Sequence, residues 1–297
     1  MTPIAAFVSV LAGLFSPEEV ALQQMTPSEK AALVIVSGLP APAGVGGVIV
    51  RRWDRDVSRP AGTLVFVDQE GGEVRAFPSL PPARSAARMD SVEEAFAAGR
   101  QTGRALRTAG VHVDLAPVLD EPDGPLGARH FDRPEYGVAF ARGLAAGRAG
   151  ACVKHFPGLG SAAVSTDERP HVNAAVRESE VRAFRAAVEA GVPCVMTGHA
   201  FYRRLGRFRA SLEPRTYRLL RSLGFEGVAI TDSLNIVGKT PAYWPTRAIR
   251  AGADMLLFTS PTSARAAIQQ LLPLARRGEL DSAAARVLRL RARYLGR

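Results

Sequence analysis

The chain has 297 residues, 47% hydrophobic and 22% charged, with 28 glycines and 21 prolines; this ordinary globular composition excludes a disordered, collagen-like or disulfide-scaffold protein. The length suits a single domain over residues 1–297, the size at which α/β barrels form one unit with a large core. The formal charge of +10 raises the question of a nucleic-acid partner, but only Lys30, Lys154 and Lys239 are lysines, and the arginines scatter over most predicted helices without a basic tail or zinc-finger spacing, so no specific nucleic-acid partner is expected.

The chain opens with an apolar stretch, Pro3 to Phe15, that lacks a cationic start and an A-x-A-like cleavage site. A leading helix within about residues 1–30, packed on the domain, is expected, with the cytoplasm as the location and export as the alternative. No window is long enough to span a bilayer. Eight short apolar runs then follow, each expected to lead into a helix: Ala32–Ser37, Gly47–Val50, Leu64–Asp68, Val113–Asp120, Cys152–His155, Cys194–His199, Val228–Asp232 and Met255–Thr259. Several are apolar throughout, as parallel strands covered on both faces are. Cys152 and Cys194 lie inside two of these runs and are expected to be buried thiols in a reducing compartment.

Helix ends punctuate the runs. Asp90 with Glu93 resembles a capping box, and Gly110, Gly191, Gly224 and Gly278 stop successive helices. The last segment, Asp281 to Leu295, reads as an amphipathic packing helix with Ala285, Leu288 and Tyr294 near one face. Eight alternating βα units predict a single-domain (β/α)8 barrel, TIM-like in architecture. A dinucleotide fold is disfavoured because the glycines around Gly44 to Gly47 precede a strand instead of following one.

In such a barrel the site lies at the carboxyl ends of the strands. The polar residues there are Asp68, Asp120, Lys154, His155, His199 and Asp232, with Arg129 in the loop after the fourth strand. Lys154 stands out in a chain that almost always chooses arginine, because a lysine buried in a strand needs a carboxylate or a substrate hydroxyl beside it. Asp120 could equally cap its Pro/Gly-rich turn, Glu70 and Glu73 could be solvated loop residues, and Asp254, which precedes its strand, belongs to the opposite, stabilising face. No His-x-His pair, H-E-x-x-H or phosphate loop is present, so no metal and no cofactor are expected. Carboxylates among cationic and neutral donors suit a polyhydroxylated ligand, and so a carbohydrate substrate.

Five blocks carry a family resemblance: Asp68-Gln69-Glu70-Gly71-Gly72-Glu73-Val74-Arg75, Ala116-Pro117-Val118-Leu119-Asp120, Lys154-His155-Phe156-Pro157-Gly158, Met196-Thr197-Gly198-His199, and Gly224-Phe225-Glu226-Gly227-Val228 through Thr231-Asp232. In this order, from about Met25 to the end, the sequence resembles glycoside hydrolase family three, and more narrowly its single-domain bacterial β-N-acetylhexosaminidases, which trim N-acetylglucosamine from peptidoglycan fragments. The resemblance implies a retaining hydrolase with Asp232 as nucleophile, and Asp68, Arg129, Lys154, His155 and His199 as residues that hold the sugar. A monomer is the expected state.

One block departs from the family. Where the family continues with His-Gly and then an Asp-Ser-His triplet whose His is the acid/base, this chain has Leu159, then Ser165-Thr166-Asp167. Asp167, Glu168 or His171, on a Gly160–Pro170 loop expected to be mobile, could take that role. The alternative is a sugar-binding protein with weak or no catalysis, because an ordinary aspartate is ionised at neutral pH and a poor acid.

Overall fold

The computed structural model describes residues 16–236 and 242–296. All eight predicted runs contain a parallel strand of one sheet: β1 (Ile35–Ser37), β2 (Gly47–Ile49), β3 (Leu64–Val67), β4 (Val113–Asp114), β5 (Gly150–Phe156), β6 (Cys194–Thr197), β7 (Val228–Thr231) and β8 (Leu256–Phe258). Neighbours in sequence are neighbours in the sheet, and β8 returns to pair with β1. Between β7 and β8 the ring is joined by a bridge from Ile230 to Met255 and by Thr231 N–H donating to the Met255 carbonyl at 3.0 Å. The architecture is the (β/α)8 barrel read from the sequence.

Several boundaries differ from expectation. The fourth run is regular only at Val113–Asp114, because Pro117 has no N–H to give a ladder; beyond it the chain follows β5 through a bridge from Val118 to Lys154 and the Leu119 N–H on the Lys154 carbonyl. No helix follows β1 or β2. The first connection is short and crowded with Gly and Pro, and the second, Arg51 to Thr63, is highly charged and lacks an apolar stripe.

Near the start, α1 (Pro17–Gln24) and α2 (Pro27–Leu33) stand where one leading helix was expected, each opened by a capping box at Ser16 and Thr26. The Pro3–Phe15 segment, for which a helix was expected, lies outside the described residues. The remaining helices are α3 (Val92–Thr108), α4 (Pro134–Ala146), α5 (Glu178–Glu189), α6 (Pro214–Ser222), α7 (Trp244–Ala251), α8 (Pro261–Arg276) and α9 (Asp281–Leu295). The cap of α3 sits one residue later than expected: Ser91 accepts from Glu94 N–H, and the Glu94 carboxylate accepts from Asp90 N–H. The stripe of α9 is likewise shifted to Ala283, Ala284, Val287, Leu290 and Tyr294.

The strands turn Val36, Ile49, Phe66, Leu115, Met196, Ile230 and Leu257 into a closed interior whose amino end is covered by Val287, Leu290 and Tyr294 of α9. Cys152 and Cys194 belong to this interior, and here the structure corrects the reading of two free thiols: they form a disulfide. The reason is register. The two residues are direct partners on adjacent strands β5 and β6, with Cα atoms 4.3 Å apart and both side chains fully buried. Asp254 lies on the stabilising side, as expected, accepting from Ala229 N–H at 2.8 Å and pairing with Arg221 and Arg286.

The segment after β5 is folded down as a roof. Leu159, Ala162 and Val172 pack with Val118, Leu126 and Tyr202 in a separate apolar cluster. Its root is bonded by Glu180, whose carboxylate accepts from Gly160 N–H at 2.7 Å and Glu121 N–H at 3.2 Å, and by the Tyr202 hydroxyl on the Gly158 carbonyl at 2.6 Å. Gly158 is required there: its φ is +121°, and a Cβ would lie 2.3 Å from the Glu180 carboxyl carbon.

Candidate functional site

The carboxyl ends of β3, β4, β5 and β7 bring most of the predicted residues to one mouth. In a regular strand Lys154 and His155 would point to opposite faces. The pairing of β5 with β6 is irregular between Val153 and Phe156, and both side chains find partners at the mouth. Lys154, 2% exposed, places its ammonium 2.7 Å from an Asp68 oxygen and 2.6 Å from Glu70. This is the carboxylate company that a lysine inside a strand requires.

Glu70 is the residue that sequence reasoning missed. Far from being solvated, it is 4% exposed and accepts two parallel hydrogen bonds from Arg129, at 2.8 and 2.9 Å, in addition to Lys154. Burial alone would raise its pKa, but the adjacent Lys154 and Arg129 outweigh that and hold it at about 2. The Lys154 ammonium, which burial would discharge, is instead kept charged by Asp68 and Glu70, its pKa lying above the ordinary lysine value. The signal in the sequence was Lys154 itself, which called for more than one nearby acid. Glu73, by contrast, is exposed as expected.

Asp120 does more than cap a turn. Buried at 3% exposure, it accepts from the backbone N–H groups of His155 and Leu159 and pairs with His155 Nδ1 at 2.7 Å. That bond fixes the ring and leaves Nε2 without a protein partner among the described residues. Below this layer Asp114 is wholly buried, accepts from Gln69 N–H at 2.9 Å, and has one oxygen with no partner; burial, together with nearby Asp68 and Glu70, raises its pKa to about 8 against the pull of the Gln69 N–H and Lys154.

Asp232 follows β7 directly. Its backbone N–H is held by the Thr197 carbonyl, and one carboxylate oxygen accepts from Ser233 N–H at 2.6 Å; the other accepts no hydrogen bond among the described residues. His199 is brought close but turned to a different task. It is fully buried, with Nδ1 on Ser211 Oγ at 2.8 Å and Nε2 on the Ser233 carbonyl at 3.0 Å, so both nitrogens are engaged inside the protein. Burial lowers its pKa, and the neutral ring braces the residue next to Asp232.

The altered loop is placed as follows. Ser165 and Thr166 are buried, and the Ser165 hydroxyl accepts from Asp167 N–H. The Asp167 carboxylate, 47% exposed, reaches the mouth and lies 3.6 Å from the Arg129 guanidinium. Glu168 is exposed. His171 is exposed too, its ring stacked on Phe201 with centroids 4.3 Å apart. Among the described residues, no group of three or more His, Cys, Asp or Glu side chains is arranged to hold a metal ion, and no helix is long and apolar enough to cross a membrane.

A mouth of this kind can hold hydroxyl groups against Asp68, Lys154, His155 and Arg129 while a carboxylate faces them from β7, and comparison with known proteins agrees with that chemistry. Residues 48–290 match the model of the glycosyl hydrolase family 3 N terminal domain. A β-hexosaminidase of Vibrio cholerae is 31% identical over 231 residues, covering 71% of this chain and 70% of that protein. A glycosyl hydrolase family 3 structure from Mycobacterium smegmatis superposes with a TM-score of 0.80 at 28% identity, over 92% of this chain and 98% of that one. A family 3 β-N-acetylglucosaminidase from a Paenibacillus species gives a TM-score of 0.80 at 25% identity, over 91% of this chain and 62% of that longer chain. With the family model matched across nearly the whole barrel, and the matched span carrying Asp68, Arg129, Lys154, His155 and Asp232 to one mouth, this chain belongs to glycosyl hydrolase family 3.

Proposed function

We propose that the protein is a retaining hydrolase of terminal β-linked N-acetylglucosamine, including that of peptidoglycan-derived fragments. The observation that carries the reading is Asp232: a buried carboxylate at the end of β7, steadied by Ser233 N–H and braced by His199, with one oxygen free, across the mouth from a cluster suited to sugar hydroxyls. The N-acetyl preference is carried over from the relatives, whose names specify hexosaminidase and N-acetylglucosaminidase activity.

In the first step an Asp232 oxygen attacks the anomeric carbon as the bond to the leaving oxygen breaks, giving a covalent glycosyl-enzyme. The leaving oxygen takes its proton from water. In the second step water attacks the same carbon, Asp167 takes its proton, and the Asp232 carboxylate is released. Paired with Arg129, Asp167 serves as a carboxylate, a form that accepts a proton in the second step but has none to give in the first. The reaction therefore depends on how well the leaving group departs unaided.

A second reading, a sugar-binding protein with feeble turnover, rests on the same Asp167–Arg129 contact. Aryl N-acetyl-β-glucosaminides of graded leaving-group acidity separate the two. The hydrolase reading expects turnover of the acidic aryl leaving groups, steeply slower as acidity falls, and a loss on the order of 10,000-fold in Asp232→Asn. Asp167→Ala should slow the second step and be rescued by azide, which attacks the glycosyl-enzyme directly. No turnover of even the most acidic leaving group by the wild type sinks the hydrolase reading in favour of binding. The Cys152–Cys194 disulfide favours an oxidising compartment over the cytoplasm expected from the sequence.

A further inference from the structure

The proposed steps give no task to Asp114. It ends β4, where it pairs with Val67 of β3 and Ala151 of β5, and it is wholly buried. One carboxyl oxygen accepts from the Gln69 N–H at 2.9 Å; the other, equally buried, has no partner among the described residues.

Gln69 joins the two acids that hold Lys154. Asp68 precedes it and Glu70 follows it, with carboxylate oxygens 2.7 and 2.6 Å from the Lys154 ammonium. The Gln69 side chain is locked in place: its Nε2 donates to the carbonyls of Phe77 and Pro81, both at 3.0 Å, and its Oε1 accepts from Phe77 N–H. The backbone N–H of Gln69 is held by Asp114 alone. The position of both acids therefore passes through this one bond.

The charges of the set already balance without Asp114. Asp68 and Glu70 face Lys154 and Arg129, two anions against two cations. A charge on Asp114 would be a third negative one: Asp68 and Glu70, on the hairpin after β3, would repel it, Lys154 on β5 is already shared by those two, and a single N–H would stand in for water. A wholly buried carboxyl with one donor and no cation of its own keeps its proton. In that form it still accepts from Gln69, and no third charge competes for the Lys154 ammonium. The third N–H of that ammonium has no partner among the described residues and is left for a sugar hydroxyl.

We propose that Asp114 is a positioning residue of the mouth: as a neutral carboxylic acid it fixes the Asp68–Gln69–Glu70 segment, and through that segment the ammonium of Lys154, in the arrangement that holds the sugar. This role rests on the hydrolase reading for the presence of a sugar, and it deepens that reading by making the hold depend on a proton the sugar never touches. Burial, with Asp68 and Glu70 nearby, places the loss of that proton at about 8. Above it, the ionised carboxyl is repelled by both acids and demands water, and the segment shifts. Sugar binding at such a pH takes the proton back.

The proton is followed first without sugar. The carboxyl carbon of Asp114, identified in carbon-13 spectra by its absence from Asp114→Asn, should show the acid form at pH 7 and shift around pH 8; an ionised Asp114 at pH 7 overturns the proposal. The affinity for N-acetylglucosamine is then measured by calorimetry at pH 7 and pH 9. Wild type should bind about tenfold more weakly at pH 9, where about one molecule in eleven keeps the proton, and binding there, compared in two buffers of different ionisation enthalpy, should take up close to one proton. Asp114→Asn keeps an acceptor for Gln69 and has no proton to lose, so it should retain most of the wild-type affinity at pH 7 and escape the loss at pH 9. Asp114→Ala leaves the Gln69 N–H unpaired and should bind on the order of tenfold more weakly at both. A fall as steep in Asp114→Asn as in wild type overturns the proposal, as does unimpaired binding by Asp114→Ala. Should Asp114→Asn fail to fold, wild-type uptake decides: no proton taken up at pH 9 overturns it. Hydrolysis of β-N-acetylglucosaminyl fluoride, which needs no acid, reports the hydrolase reading separately. Turnover with an ionised Asp114 at pH 7 defeats the positioning role alone, whereas an acid-form Asp114 with neither turnover nor sugar binding defeats the hydrolase reading.

Discussion

The two halves of the mouth are built differently. On the side of β3 to β5, two bonded sets stand side by side, mostly buried: Asp68, Lys154, Glu70 and Arg129, whose charges satisfy one another, and Asp120 with His155. On the roof after β5, Asp167 touches the first set through a single 3.6 Å contact, and Glu168 and His171 stand in solvent. Holding a sugar demands fixed donors and acceptors, and the first half has them. Moving a proton demands a group that can exist in both forms beside the leaving oxygen, and the second half offers a carboxylate tied to a guanidinium. On the proposed reading, binding and proton transfer fall to different stretches of chain, one bonded and buried and the other open to solvent.

The sharpest way to break the first half is at its hub. Glu70→Gln removes the charge that Lys154 and Arg129 share, leaving buried cations undercompensated. We expect a stability loss of about 3 kcal/mol, read by urea denaturation, and a fall in kcat/KM of roughly a hundredfold from misplaced hydroxyl contacts. A variant as stable and as active as the wild type would show the network to be ornamental.

The seam between the halves runs between β5 and β6, where the disulfide closes a loop of 42 residues. Loop-closure entropy puts its contribution at about 4 kcal/mol. The double variant Cys152→Ala/Cys194→Ala should lower the free energy of unfolding by about that amount, with little change in kcat, since neither sulfur reaches the mouth. A large loss of kcat with an unchanged KM would instead tie the bond to the catalytic geometry.

The root of the roof gives the smallest effect and a pH signature. Burial raises Glu180 to about 7, and burial raises Asp114 to about 8. Because both are raised above the ordinary carboxylate range, the folded chain binds protons that the unfolded chain has released, so their contribution is present at low pH and is lost as pH rises through 7 and 8. Glu70 has the opposite sign, its contribution present above the ordinary value of 4.5 and lost as pH falls toward about 2. Denaturation midpoints should fall between pH 6 and 8.5 in the wild type and fall less in Glu180→Gln. A parallel decline in the two proteins would mean that Glu180 does not titrate in this window.

The strands and the ring of mouth residues were legible in the sequence because a buried parallel strand reads as an apolar run and its end is marked by the first polar residue. Asp68, Lys154, His155, His199 and Asp232 all stand at such ends. Glu70 was illegible for the converse reason: it sits in a short Gly-rich hairpin, where burial leaves no periodic trace, and only the partners brought by β5 and the loop after β4 make it interior. The missing helices after β1 and β2 were masked by the regular alternation elsewhere. The disulfide could not be read because a cysteine in an apolar run has the same neighbours whether or not a second one lies beside it across the sheet. His199 shows the remaining limit, since nothing in Gly198-His199 reveals that Ser211 and the Ser233 carbonyl occupy both its nitrogens.

The mouth also sets up a field. Asp68, Glu70, Asp120, Asp167 and Asp232 surround it, against the permanent cations Lys154 and Arg129, while the protein as a whole carries +10. The pocket is thus a negative well in a positive body. A sugar whose anomeric carbon gains positive charge as its bond breaks is steadied in such a well, whereas polyanions attracted to the body are turned away at the opening. Body and mouth thus differ in the charge they favour, and the acidic mouth suits a neutral sugar on its way to becoming a cation.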